Sequence, residues 1–198
     1  MERAVKQIRA MATELKTRAD PGGPKIIEGY FAVFNKQTEL FQGAFEEIAP
    51  GAFDETLGGD IRALINHDTT LVLGRTKANT LILRVDEHGL FGTIIVNEKD
   101  TDAMNLYERV QRGDVTQCSF GFEIMEEDTE WREDGTVKWT IRKVILYEVS
   151  VCTFPAYEDT SVQARSREYR DMVQKKLEVR KKKAKERLKN GTESIDAE

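Results

Sequence analysis

VTQCSFGFEIM (residues 115–125) and VKWTIRKVILYEV (137–149), separated by the acidic, glycine-containing EEDTEWREDGT (126–136), decide the architecture of this chain. Both runs are rich in β-branched and aromatic residues, and the polar connector suits a long hairpin exposed to water. Phe120, Phe122 and Ile124 recur at every second position, so a strand puts them on one face and Ser119 on the other. Cys118 alternates away from Ser119, and Gly121 leaves room for a close-approaching backbone. In the second run Glu148 interrupts the aliphatic stretch Val144-Ile145-Leu146-Tyr147-Glu148-Val149.

Working outward, Thr101–Arg112 reads as a helix, with Ala103, Met104, Leu106, Tyr107 and Val110 at spacings of three and four and Gly113 placed to cap it. Before it, residues 61–65, 71–73, 80–85 and 90–96 are short aliphatic or β-branched runs. The last two flank Asp86-Glu87-His88-Gly89, a hairpin turn sequence. Ile26, Ile27, Tyr30, Phe31, Val33 and Phe34 form a further strand that bends at Gly29, and residues 51–57 read as a short helix stopped by Gly58-Gly59. Residues 153–157 end the strand series in a proline-fixed loop. About seven short strands without βαβ alternation favour an antiparallel barrel or sandwich with peripheral helices over a doubly wound sheet.

The ends differ from this middle. Residues 2–19 carry Ala4, Val5, Ile8, Met11, Ala12 and Leu15 at helical spacing, which predicts an N-terminal amphipathic helix over 1–20, and Asp20-Pro21-Gly22-Gly23-Pro24 then serves as a linker. Residues 165–190 hold twelve Lys/Arg against four Asp/Glu in a basic helical pattern closed at Asn190-Gly191. Residues 191–198 form an acidic end, expected to be disordered, with a net charge of −3, and residues 1–164 carry −10.

Composition excludes several classes. At 198 residues, 39% hydrophobic and 33% charged, the chain fits one domain plus a charged appendage. No run of ~20 apolar residues offers a membrane span, and the N-terminus lacks the apolar segment of a secretory signal, so an intracellular, membrane-free protein is expected. Two cysteines (Cys118, Cys152) and two histidines (His67, His88) cannot assemble a zinc-finger set or a disulfide scaffold, so no metal is expected. Glycine-rich phosphate-binding motifs are missing, so no nucleotide or other cofactor is indicated. The basic tail could bind nucleic acid, but the acidic body opposes phosphate and aromatics are not interleaved with the basic run as stacking sites would require, so nucleic acid is not expected as a partner.

A hydrolase without metal or nucleotide needs a nucleophile, a base and a group that fixes the base. His67 follows an apolar strand in Asn66-His67-Asp68, at a strand end where working groups are often held, although by itself such a histidine is more often structural. Ser119 and Cys118 are rival nucleophiles on opposite strand faces, so only one of them can face His67. Glu148, in a strand that otherwise looks buried, needs a partner: a histidine, or a neighbouring cation such as Arg142. His88 lies in a turn and reads as a surface residue.

Together, Gly29-Tyr30-Phe31-Ala32-Val33-Phe34, Glu47-Ile48-Ala49-Pro50-Gly51-Ala52-Phe53, Leu64-Ile65-Asn66-His67-Asp68 with Leu73-Gly74-Arg75, Cys118-Ser119-Phe120-Gly121-Phe122, and Tyr147-Glu148-Val149-Ser150-Val151 with Pro155-Ala156-Tyr157 resemble the tailed-phage prohead (capsid maturation) serine proteases over residues 25–163. That family is related in fold to the herpesvirus assemblins. The resemblance implies a mainly β (α+β) fold: a closed antiparallel β-barrel of about seven strands, with peripheral helices and here a basic C-terminal helix. It makes Ser119 the nucleophile, His67 the general base and Glu148 the orienting acid, with Asp68 the runner-up, and it suggests an oxyanion hole near residues 155–157. It implies a protease acting in the bacterial host cytoplasm inside the immature capsid. Its partners would be the major capsid protein with its scaffolding domain, or a separate scaffolding protein, and self-cleavage and a homodimer are further expectations. The competing reading is a capsid assembly or scaffolding factor that keeps the barrel without activity.

Overall fold

In the computed structural model, which describes residues 6–11, 15–19, 21–154 and 159–193, the two deciding runs are one long hairpin. Its arms, Gln117–Trp131 and Val137–Cys152, extend into the connector, leaving only residues 132–136 as the turn. In chain order the strands are β1 (Gln7–Met11), β2 (Lys16–Ala19), β3 (Lys25–Val33), β4 (Thr38–Phe41), β5 (Ala44–Ile48), β6 (Arg62–Ile65), β7 (Asp68–Arg75), β8 (Leu81–Val85) and β9 (Gly89–Ile95). Helix α1 (Thr101–Arg112), the hairpin arms β10 and β11, and helix α2 (Asp159–Glu193) complete the chain.

The protein is mainly β with few helices. One sheet runs β1-β10-β11-β5-β4, with β6 pairing β11 and β7 pairing β6; the second runs β2-β3-β9-β8. The expected closed antiparallel barrel is corrected on two counts. β11 pairs in parallel with β5 along Val137–Ile141 and with β6 along Glu148–Val151, because both earlier strands reach it by long crossovers rather than hairpins. Among the described residues, no ladder joins the seven-stranded sheet to the four-stranded one.

The sheets share one core. Ile27, Phe31, Leu90 and Ile94 from the smaller sheet join Phe120, Phe122, Val149 and Val151 from the larger, and α1 adds Ala103, Leu106, Tyr107 and Val110. Phe120 stacks on Phe122 with ring centroids 4.8 Å apart and meets the edge of Phe53 at 5.8 Å. Each such fully buried side chain contributes about 2 kcal/mol. Asp100 caps α1 by accepting from the amides of Asp102 and Ala103, and Gly113 closes it at φ 82°.

Three sequence expectations fail here. Residues 7–11 and 16–19 are strands rather than parts of an N-terminal helix; residues 1–5, 12–14 and 20 lie outside the described ones. The apolar spacing suits a helix, but β1 completes a ladder with β10 and β2 one with β3, and tertiary pairing overrides local propensity. The 21–24 breaker cluster is accordingly a hairpin turn within one sheet, not a linker. Residues 51–57 form a chain of i→i+3 turns around Gly51, at φ 87°, rather than a helix. Residues Asp159–Glu198 form a separate unit, in which α2 runs past Asn190-Gly191 to Glu193 and every described side chain from 174 to 186 is exposed. Of the acidic end, residues 194–198 lie outside the described ones.

Candidate active site

The site is assembled by a two-residue turn. Ile65 pairs with Asp68 across the β6–β7 hairpin, which leaves Asn66 (φ 50°) and His67 (φ 62°) as its tip, both left-handed. Turns of this twist favour Asn followed by Gly, so a histidine in the second position is held against its backbone preference. The tip is tacked to the end of β11. The Asn66 amide donates to the Val151 carbonyl (3.0 Å), the Asn66 side-chain oxygen accepts from the Thr153 amide (2.9 Å), and the His67 amide donates to Ser150 Oγ (3.3 Å). At the hairpin's base Arg75 grips Asp60 through two bonds of 2.7 and 2.6 Å, which hold that carboxyl down at about 2.

The imidazole so placed meets Glu148. His67 Nδ1 lies 2.8 Å from Glu148 Oε1, the Ser150 hydroxyl donates to Oε2 at 2.7 Å, and Lys6 Nζ lies 3.2 Å from Oε1. Glu148 is buried at 3% exposure. Burial by itself would push its carboxyl up, but the hydrogen bond and charge of His67, the Ser150 hydroxyl and the Lys6 ammonium outweigh it and hold the group below its ordinary value. A carboxylate can only accept, so Nδ1 carries the proton and Nε2 is left as the basic nitrogen.

Gly121 makes this possible. It sits opposite Glu148 in the ladder, and a Cβ there would meet Glu148 Oε1 at 2.2 Å and Lys6 Cε at 2.5 Å. The close approach is therefore by side chains, not by a backbone as the sequence suggested.

Ser119 pairs with Ser150, so its side chain shares a face with Glu148 and Cys152. The imidazole spans from Glu148 to Cys152, whose Sγ lies 3.7 Å from Nε2, and it thus passes over Ser150, the residue across from Ser119. The Ser119 hydroxyl donates to the Arg9 carbonyl at 2.8 Å rather than to His67, and Ser119 is fully buried. Cys118 faces the core, its thiol donating to the Tyr30 carbonyl at 3.1 Å. Asp68 is exposed and accepts from the Thr70 amide and hydroxyl, away from His67. Arg142 pairs with Asp128, not Glu148. His88 lies on the β8–β9 turn with its ring edge-on to Tyr30 at 4.4 Å. Residues 155–157, the expected oxyanion-hole segment, fall outside the described ones.

Sequence reasoning missed Ser150, Cys152 and Lys6. The first two had a signal: Glu148-Val149-Ser150-Val151-Cys152 alternates polar and apolar, which puts three chemically active groups on one strand face. Lys6 had none, because its segment reads as a helix. Among the described residues no group of His, Cys, Asp and Glu could hold a metal ion.

A buried carboxylate that fixes an imidazole is the orienting half of the arrangement that serine hydrolases use. Residues 13–175 match the model of the caudovirus prohead serine proteases, and the chain belongs to that family. The chain is similar to the prohead protease of Enterobacteria phage HK97, with 32% identity over 168 residues that cover 83% of this chain and 70% of that protein. Among solved structures it is similar to the capsid assembly protease of bacteriophage T4, with a TM-score of 0.49 and 10% identity over 74% of this chain and 96% of that one. The family's role is capsid maturation by proteolysis. No described helix is long and apolar enough to cross a membrane.

Proposed function

We propose that this chain is a serine endopeptidase that matures phage proheads by cutting the scaffolding protein or the scaffolding domain of the major capsid protein, and that it also cuts itself. Ser119 is the nucleophile, His67 the general base and Glu148 the orienting acid. The observation that carries this is the buried Glu148–His67 contact of 2.8 Å on the strand face that also bears Ser119. Rotation of the Ser119 hydroxyl away from Arg9 turns its proton toward Nε2. His67 accepts it as Oγ attacks the peptide carbonyl, returns it to the leaving amine, and then activates the water that hydrolyses the ester.

Cys152 Sγ lies 3.7 Å from Nε2, but burial pushes its thiol up to about 12, so it stays protonated and weakly nucleophilic. We place the enzyme inside the immature capsid, with basic α2 as its docking surface for scaffold. The deciding experiment is intact-mass analysis of the chain and of Ser119→Ala, each alone and with the capsid protein of the same phage. Fragments formed only with Ser119 establish the reading. Equal fragmentation by Ser119→Ala, together with its loss in Cys152→Ala, would move the nucleophile. Identical masses throughout, including in assembled proheads, would favour the non-enzymatic assembly factor.

A further inference from the structure

Ser119 is covered by β1. That strand lies antiparallel along β10 from Gln7 opposite Phe122 to Met11 opposite Cys118. Peptide substrates add to an exposed sheet edge as an extended strand held by main-chain hydrogen bonds, and β1 occupies the edge of β10 in that manner. Its register is informative. Ala10 stands opposite Ser119, and the Arg9 carbonyl receives the Ser119 hydroxyl, so the peptide bond presented to the nucleophile is Arg9–Ala10.

The Arg9 side chain leaves by the other face of the strand. Its guanidinium lies 5.7 Å from the Phe122 ring centroid and forks onto Glu46 of β5, Nε to Oε1 at 2.5 Å and Nη2 to Oε2 at 3.0 Å. Glu46 is 4% exposed. A carboxylate this deep is costly without a cation, and the forked geometry matches guanidinium in particular. A small pocket walled by Val33, Lys36, Leu40 and Ile48 opens beside the pair.

We propose that Glu46 determines the specificity of this protease: it is the acidic floor of a subsite that takes the arginine side chain of a strand seated on β10, and the bond on the carbonyl side of that arginine is cut, Arg9–Ala10 in this chain. This rests on the Ser119 reading above. In the step, Ser119 Oγ bonds to the Arg9 carbonyl carbon while its proton passes through His67 Nε2 to the Ala10 nitrogen, and the C–N bond breaks. Water then adds to the ester, giving one proton through His67 back to Ser119 Oγ, and the other leaves to solvent as the Arg9 carboxyl ionises. Cutting there severs Lys6, which holds Glu148, from the rest of the chain.

The test uses the full-length chain, blocked synthetic peptides copying residues 5–15 with Arg, Ala or Glu at the position of Arg9, mass spectrometry, and a fluorophosphonate that labels reactive serines. Expected are a chain fragment beginning at Ala10, cleavage of the arginine peptide at the same bond at least tenfold faster than of the other two, and loss of that preference in Glu46→Gln. The peptide comparison in the wild-type chain stands even if the variant fails to fold. Cleavage without preference for arginine, or preference retained in a folded Glu46→Gln, overturns the subsite. So does fluorophosphonate labelling of Ser119 without cleavage after arginine, which leaves the serine-hydrolase reading intact. Neither labelling nor cleavage overturns both.

Discussion

Two hairpins of this protein each present a histidine, and they are built in opposite ways. In β8–β9 the Asp86 side chain accepts from the amides of His88 and Gly89, a glycine follows the histidine, and the ring rests edge-on against Tyr30. In β6–β7 the tip is Asn66-His67, both left-handed and neither a glycine, and the ring turns inward onto a buried glutamate. The first turn satisfies its amides with its own Asp86, while its His88 carbonyl accepts from the Phe34 amide. The second holds a residue in a costly conformation through bonds to β11, and strain of that kind persists only where surroundings enforce it. On the proposed reading, the proton-moving histidine is the one whose turn is tied to another strand.

The sharpest way to break this contrast is to remove each ring. His67→Ala should lower the rate of capsid-protein processing by about 10⁴-fold or more, as loss of a general base does in serine hydrolases, while His88→Ala should leave it within about twofold. Single-turnover cleavage followed by mass spectrometry checks both, and comparable losses in the two variants would dissolve the distinction. Gly121→Ala comes next. The added methyl collides with Glu148 Oε1 and Lys6, so the carboxylate must leave His67. Activity should fall by about 10²-fold and stability by about 1–3 kcal/mol, read from denaturant titration beside the activity assay.

Much of the site was legible in the sequence because strand alternation is a rigid rule. Ser119 had to oppose Phe120 and Phe122, Cys118 had to join them in the core, and Glu148 had to find a partner in a buried strand. That His67 was the partner came from a resemblance, not from spacing, since the two residues lie 81 positions apart and meet through the parallel pairing of β6 with β11. What was not legible is what long-range pairing decides. Residues 7–11 read as a helix because their own spacing permits one, and only the open edge of β10 makes them a strand. The same edge explains the hidden serine and the Arg9–Glu46 pair, neither of which has a local signature.

Ser150 supplies a smaller test. It donates to Glu148 Oε2 and accepts from the His67 amide, so it is a positioning residue that joins turn to carboxylate. Ser150→Ala should slow cleavage by about tenfold, the equivalent of one hydrogen bond to a charged group. A purely structural serine could do as much, so the discriminating readout is the titration of the Glu148 carboxyl, followed by carbon NMR. In the wild type the midpoint should lie below the ordinary 4.5, because His67, Ser150 and Lys6 together outweigh burial. The sign follows: a depressed carboxyl stabilises the fold fully above its unfolded value, and that stability is lost as pH falls through the folded midpoint. Without the Ser150 hydroxyl the midpoint should rise toward the ordinary value, so the stability it contributes should shrink and its loss should be complete at a higher pH. An unmoved midpoint would separate Ser150 from the charge it contacts.

The smallest effect expected is at Asn66, and it isolates the turn from the chemistry. Asn66→Gly keeps a backbone at φ 50° at no steric cost but loses the bond from the Thr153 amide, so the two changes oppose one another and stability should fall by only about 0.5 kcal/mol. Asn66→Ala loses the bond and also forces a β-carbon into the left-handed region, which adds about 1 kcal/mol. The difference between the variants in thermal denaturation therefore measures the conformational term alone. If Asn66→Gly also keeps activity close to wild type, the turn serves by its backbone path, which carries His67 to Glu148. If activity drops far more than stability, the Asn66 side chain's tie to Thr153 helps aim the imidazole, and the turn and the end of β11 must be treated as one positioning device.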